Sequence, residues 1–182
     1  NGRTITDLRT AVTRLGLGTL RDLVLASEVF SSAIISERQR VELQQRAVLS
    51  ARLASRLLPA TSAELGATAA LLADIGLLLP GVVDQRQLQP GSESIGHVDA
   101  GAYLLGLWGL PMPIIEAVAF HLQPQKSNTR SFWVTGAVHV ANSLIRGEPV
   151  DMTYLQQTGS VDKLPQWQAQ ADSLLGLAAT QA

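Results

Sequence analysis

The stretch from residue 69 to residue 78, AALLADIGLL, carries a single charge, Asp74, in an otherwise apolar run. A carboxylate placed among such neighbours is costly unless a cation, a metal ion or hydrogen-bond donors meet it. Asp74 is therefore either a metal ligand or general base, or a structural acid paired with an arginine or held by backbone donors. Buried acids are more often paired than catalytic, so residue chemistry alone favours the structural interpretation.

The sequence on both sides of this stretch has the periodicity of helices. Ser36 with Gln39, and Thr61 with Glu64, have the spacing of capping boxes and predict two helix starts. The predicted helices cover about 7–15, 19–30, 36–58, 61 through Asp74, 97–108, 113–121, 131–146, 152–157 and 165–178. No stretch alternates at a period of two, so residues 80–96 are expected to form a loop without strands. The sequence predicts an all-α, multi-helix globule of about eight or nine helices.

The composition suits a compact globule and excludes several classes of protein. Of the 182 residues, 46% are hydrophobic and 16% charged, a balance too apolar for a disordered chain. A net charge of −1 gives no overall field to attract nucleic acid or an anionic membrane. The absence of cysteine excludes disulfides, thiolate metal sites and a cysteine nucleophile, and fits a cytoplasmic location.

Targeting and membrane signals are not predicted either. Residues 1–4, NGRT, lack the basic and apolar regions of a signal peptide. The run from Gly66 to Pro80 is interrupted by Asp74 and is shorter than the ~20 residues of a membrane span. We expect this run to be a buried helix and expect no membrane partner.

Three histidines, His97, His121 and His139, lie in or beside apolar helical segments. Two of them with Asp74 would make a plausible facial metal site. No two share a helix at a spacing of four, so the sequence leaves open whether they converge. His139, within AVHVA, is expected to be a hydrogen-bonded core residue. The sequence lacks a glycine-rich phosphate loop, a nucleophile elbow and a base-stacking platform.

The order of these segments resembles a known family. Residues 71–76, LLADIG, are similar to the LLHDIG motif of the HD superfamily, with Ala73 where the motif histidine belongs. Residues 96–105, GHVDAGAYLL, resemble the H-x-x-x-G-x-x-L helix start. Other matching segments are LWGLP at 107–111, IEAVAFH at 115–121 with Pro124, and ITDLRTAV through LR at 5–21. By order and spacing, the chain resembles an HDOD domain, a degenerate relative of HD and HD-GYP phosphohydrolases, over essentially its whole length.

The resemblance implies that part of the metal site of an HD enzyme is missing. In catalytic members, histidines and aspartates hold one or two metal ions that activate water against a phosphate ester. Asp74, His97 and His121 match such ligand positions, whereas Ala73 and Asn142 stand where ligands are expected. We therefore expect no catalytic residue, no metal ion and no cofactor.

A fixed cation is expected in place of the metal. Arg46 corresponds by the resemblance to a histidine ligand on an earlier helix, and the neighbour of His121 is Leu122 rather than a second histidine. Arginine stays charged under all ordinary conditions. We expect Arg46 to neutralise Asp74 without any metal ion.

The function implied is a non-enzymatic regulatory or interaction module of bacterial signal transduction. Family members are usually fused to receiver or sensory domains, so an output domain of a response regulator is expected. The alternative is a residual metal- or nucleotide-binding phosphohydrolase with weak phosphodiesterase activity through Asp74, His97 and His121. A local arginine-based contact to nucleic acid is a third hypothesis, against which the near-neutral charge argues.

The resemblance also bears on the extent of the domain. The family pattern begins before Asn1, so residues 1–182 are expected to form a single HDOD-like domain that lacks its N-terminal helices. The first two predicted helices are apolar on more than one side. We expect them to expose an apolar face that the missing helices, a neighbouring domain or a second copy of the chain would cover.

Overall fold

The structure is a computed structural model that describes residues 36–89, 91–127 and 130–180. Within these ranges it has seven α-helices: α1 Glu37–Leu57, α2 Ala60–Leu72, α3 His97–Leu107, α4 Met112–Phe120, α5 Val134–Arg146, α6 Met152–Gln157 and α7 Leu164–Thr180. Four 3-10 helices cover Ile75–Leu78, Gln85–Gln87, Pro124–Lys126 and Val161–Lys163. The all-α prediction is confirmed. The predicted count of eight or nine includes two helices, over 7–15 and 19–30, that lie with their apolar face outside the described residues.

Helix α5 is the centre of the molecule. Eleven of its residues, including Val138 and Ala141, are buried, and it contacts α1, α2, α4 and α7. A helix that is covered on all sides belongs to the core. The core cluster draws on all of these neighbours, with Leu53 of α1, Val118 of α4 and Trp167 of α7 among its buried members.

The helix starts follow the sequence signals in one case and not in the other. The Ser36 hydroxyl accepts from the backbone N–H of Gln39, whose side chain accepts in turn from the Ser36 N–H. This confirms the first capping box. The second prediction was wrong, because α2 already starts at Ala60 with Pro59 in the capping position and no side-chain cap. Proline fixes the backbone angle φ there but offers no side-chain acceptor to the N–H groups of the first turn.

The loop after the first 3-10 helix contains strands that the sequence did not predict. β1, Val82–Val83, pairs in parallel with β2, Ile95–Gly96. Strands of two residues are too short to show an alternating pattern, which is why the period of two was not visible. The pairing joins the two ends of the loop and brings its residues 84–89 next to the start of α3.

One close backbone contact sets the position of α3. A Cβ atom at Gly76 would lie 2.1 Å from the carbonyl oxygen of His97, far closer than atoms can approach. Only glycine permits this distance between the 3-10 helix and the start of α3. The contact places residues 74 and 97 side by side.

Among the described residues, one segment, Ala60–Leu78, is long and apolar enough to cross a membrane by length and composition alone. The core helix of a globular protein passes the same test. This segment packs against α1, α4 and α5 and contains Asp74, whose carboxylate is paired with an arginine.

Candidate functional site

Four helix ends meet around Asp74. The residue follows the end of α2, and Ala73 precedes it as the helix cap. His97 is the first residue of α3, His121 follows the last residue of α4, and Arg146 is the last residue of α5. Helix ends leave unpaired backbone groups and are natural places for polar side chains in an apolar interior.

The carboxylate of Asp74 lies among the side chains of Arg146, His97 and His121 and is only 11% exposed. Its Oδ1 lies 3.1 Å from Nε2 of His97 and 3.7 Å from Nε2 of His121. Its Oδ2 accepts a hydrogen bond from Nη2 of Arg146, whose side chain is 9% exposed. The two imidazole rings stand edge to face with centroids 6.0 Å apart. Asp74 is thus a largely buried acid with its acceptors engaged.

The protonation of Asp74 follows from these contacts. Burial by itself raises the pKa of the carboxyl, but the nearby imidazoles of His121 and His97 and the charge of Arg146 outweigh it. The pKa of Asp74 is therefore well below its ordinary value. The side chain is a carboxylate anion at neutral pH, held by positive and donor groups.

A second group of charges lies on the loop next to this cluster. Arg86 places Nη1 3.2 Å from Oδ1 of Asp84 and 4.0 Å from Oδ1 of Asp74, and its Nε donates to Glu148 at 3.3 Å. Burial raises the pKa of Asp84, but the backbone N–H and the charge of Arg86 lower it overall. Arg86 therefore connects the loop to the segment after α5 and adds a second cation near Asp74.

Three side chains of the cluster could hold a metal ion. Asp74, His97 and His121 each offer one ligand atom, and the three atoms lie within 4.8 Å of one another. Two imidazoles and one carboxylate suit iron and also occur at zinc sites. The structure thus brings together the three residues that the motif match had selected.

The hydrogen bonds decide how well a metal ion fits. A metal-bound histidine normally donates its other ring N–H to a carbonyl, a carboxylate or water. His121 meets this condition, since its Nδ1 lies 2.9 Å from the carbonyl oxygen of Val118. His97 does not, because its Nδ1 accepts from the backbone N–H of Gln85 at 2.9 Å. With Arg146 also on Oδ2, the side chains as they stand do not fit an ion bound to all three residues.

His139 has a different role. Its Nδ1 lies 2.7 Å from the carbonyl oxygen of His121, and its Nε2 accepts from the backbone N–H of Asp151 at 2.9 Å. Burial lowers its pKa, although the hydrogen bond to His121 and the charge of Asp151 act in the other direction. The prediction of a hydrogen-bonded core histidine is confirmed.

The expected cation for Asp74 was wrong. Arg46 is partly exposed on α1, and its Nε donates to the carbonyl oxygen of Glu42 one turn earlier. The cation is Arg146 instead, with Arg86 beyond it. The sequence contained a usable signal, because Arg146 is the only charged residue of the otherwise uncharged α5.

A cavity of about 460 Å³ reaches Asp74 from the side of α1 and α2. Its wall is mainly apolar and includes Leu43, Val48 and Leu72. Arg40 also lines it and pairs with Glu37 on the same helix. Among the described residues, this wall provides few groups that could bind a phosphate.

Comparison with known protein families gives a match. The family described as HDOD domain matches residues 1–124, about two thirds of the chain. No curated protein and no solved structure gives a significant match to the chain. The matched range contains Asp74, His97 and His121 and ends before α5, which supplies Arg146.

Proposed function

The chain belongs to the HDOD domain family, and we propose that it is a non-catalytic regulatory or interaction module of bacterial signal transduction. In this proposal it serves as the output domain of a larger cytoplasmic protein. The observation that carries the proposal is the ion pair between Arg146 and Asp74. Arg146 already neutralises the Asp74 carboxylate, the anion that would otherwise attract a metal ion.

An arginine beside Asp74 disfavours a metal ion for two reasons. The guanidinium keeps its charge at any ordinary pH, so a divalent cation close to it would be repelled. The pair is also largely buried, which weakens the screening of that repulsion by water. Ala73 adds no ligand atom, and the Asn142 side chain is a neutral amide.

The cavity beside the cluster supports the same conclusion. Phosphate-binding sites usually provide cationic side chains or converging backbone N–H groups. The cavity next to Asp74 is mainly apolar, and its arginine, Arg40, is paired with Glu37. Such a wall suits packing better than the binding of a phosphate ester.

The alternative is a residual metal-dependent phosphohydrolase. One observation favours it: Nε2 of His121 is buried and has no hydrogen-bond partner among the described residues. Its Nδ1 faces a carbonyl oxygen, as in a metal-bound histidine. With Asp74 and His97 it would hold an ion that activates water against a phosphate ester when bound.

Hydrolysis assays separate the two proposals. The purified protein is incubated with cyclic dinucleotides and a simple phosphate ester in the presence of Mn²⁺, Fe²⁺ or Zn²⁺, alongside Asp74→Asn. The matched control is Asp99→Asn, which changes an exposed acid in the first turn of α3. We expect all three proteins to give the background rate. Turnover that Asp74→Asn abolishes and Asp99→Asn retains would establish the alternative.

The signalling role needs a partner. We propose that the rigid helical packing around α5 presents a surface to another protein. In this proposal a fused sensory or receiver domain changes how that surface binds its partner. A pull-down from the native host with the full-length protein should retain one partner in saturable, stoichiometric amount. Phosphatase turnover without any such partner would contradict this role.

A further inference from the structure

His97 makes a hydrogen bond that defines where its proton is. The backbone N–H of Gln85 points at Nδ1 of His97 over 2.9 Å. An amide N–H can only donate, so Nδ1 must offer its lone pair. The neutral ring then carries its proton on Nε2, which lies 3.1 Å from Oδ1 of Asp74 and donates to it. Oδ1 of Asp84 is farther from Nδ1, at 3.6 Å, and is engaged by Arg86 instead.

Three contacts hold the Gln85 amide in this position. Gln85 is the first residue of a 3-10 helix that Asp84 caps by accepting from the backbone N–H of Arg86 at 3.0 Å. The side chain of Gln85 packs directly against Gly96, where even a Cβ atom would collide with it. Arg86 anchors the loop by donating to Glu148. The loop between β1 and β2 thus presents one amide to one ring nitrogen.

We propose that the Gln85 backbone amide is a positioning group that keeps His97 in the Nε2–H tautomer, so that His97 acts as a hydrogen-bond donor to Asp74 and not as a metal ligand. This inference rests on the proposed function. It explains why residues that match metal-ligand positions in the sequence do not bind a metal ion in the folded protein. A ligand nitrogen must carry a free lone pair. In His97 the nitrogen that faces the cluster carries the proton.

The other two histidines provide internal references. Nδ1 of His121 faces the carbonyl oxygen of Val118, and Nδ1 of His139 faces the carbonyl oxygen of His121. A carbonyl oxygen can only accept, so both rings carry a proton on Nδ1. Since the chain has three histidines, one of them should show the opposite tautomer from the other two.

The test is ¹⁵N NMR of the imidazole nitrogens in metal-free protein at about pH 8, where an ordinary imidazole is neutral. Single His→Gln variants assign the three spin systems. We expect His97 to show a protonated Nε2 and an unprotonated Nδ1, with a scalar coupling from Nδ1 to the Gln85 amide nitrogen. His121 should show the reverse pattern. A protonated Nδ1 in His97 would overturn the inference.

A matched pair of changes isolates the amide. Replacing the Gln85 amide by an ester removes the N–H and keeps the backbone shape, whereas Gln85→Ala removes the side chain and keeps the N–H. We expect the ester to convert His97 from a single tautomer to a mixture of both, and Gln85→Ala to keep the single tautomer because the Asp84 cap and the Arg86–Glu148 contact still hold the amide. The same tautomer in all three proteins would show that the amide does not determine it.

Addition of Zn²⁺ distinguishes this inference from the proposed function. If His97 keeps the Nε2–H tautomer in the presence of one equivalent of Zn²⁺ but the protein hydrolyses a phosphate ester, the inference holds and the proposed non-catalytic role fails. If the metal-free protein already has Nδ1–H on His97, the inference fails whether or not Zn²⁺ binds.

Discussion

Arg146, the last residue of α5, donates to Oδ2 of Asp74, which lies 72 residues earlier, just past the end of α2. Both groups stand at C-terminal helix ends, where the helix dipole favours a cation and disfavours an anion. Arg146 is therefore well placed for its own helix, and it also offsets the unfavourable position of Asp74. One contact joins the two helices at the cluster.

Removing this cation should destabilise the fold. Arg146→Ala leaves a largely buried carboxylate without its charge partner, and we expect a loss of about 3–5 kcal/mol in the free energy of unfolding. Arg46→Ala is the control, since among the described residues that side chain hydrogen-bonds to the backbone of its own helix and not to Asp74, and it should change stability by less than ~0.5 kcal/mol. Urea denaturation measures both. Equal losses of stability in the two variants would contradict the assignment of Arg146 as the cation that stabilises Asp74.

The pair should also show energetic coupling. Asp74→Ala should cost about 1–5 kcal/mol, because Arg146 and His97 lose their acceptor. The double variant Asp74→Ala, Arg146→Ala should cost less than the sum of the two single changes, since neither partner is left as an unpaired charge. A double-mutant cycle by urea denaturation gives the coupling. Additive losses would mean that the ion pair does not contribute to the fold.

Two glycines of the same region should respond in opposite ways. Gly76→Ala would place Cβ 2.1 Å from the backbone oxygen of His97, so the 3-10 helix and α3 must separate. We expect the free energy of unfolding to fall by several times RT and the chemical shifts of His97 to change. Gly106→Ala, in α3 with open space around it, should stabilise the protein by about 0.5–1 kcal/mol. A neutral Gly76→Ala would show that the close backbone approach is not required.

The stability should fall at high pH because of Tyr154. Burial, and then the charge of Glu116, raise the pKa of the phenol to about 12. The unfolded chain ionises near pH 10 while the folded one stays neutral, so stability is lost as the pH rises from 10 towards 12. Tyr154→Phe lacks this loss, and near pH 11 it should gain about 1 kcal/mol relative to wild type.

At neutral pH the same change should be small. The Tyr154 hydroxyl is buried and has no hydrogen-bond partner among the described residues, so removing it should alter stability by less than ~1 kcal/mol. Thermal unfolding at pH 7 and pH 11 provides the comparison. Parallel loss of stability in both proteins above pH 10 would exclude Tyr154 as the cause.

The sequence predicted the helices well because their ends carry local signals. Ser36 with Gln39 marks the start of α1, and Gly147, with a left-handed backbone, ends α5 where the pattern indicated. The motif match also selected Asp74, His97 and His121, which do converge. Such features depend on neighbours in the chain or on fixed motif spacing.

The partners of these residues could not be predicted in the same way. The cation beside Asp74 comes from a residue 72 positions later in the chain, whereas the resemblance had selected Arg46. The tautomer of His97 depends on a loop whose two strands have two residues each. Contacts of this kind arise from packing in three dimensions, which local periodicity does not record.

The metal content of the purified protein tests the central claim most directly. The protein is incubated with Mn²⁺, Fe²⁺ or Zn²⁺, dialysed, and measured by elemental analysis next to Asp74→Asn. The ion pair of Arg146 with Asp74 and the proton on Nε2 of His97 predict far less than one metal ion per chain, with no difference between the two proteins. One tightly held ion per wild-type chain that Asp74→Asn loses would contradict the account.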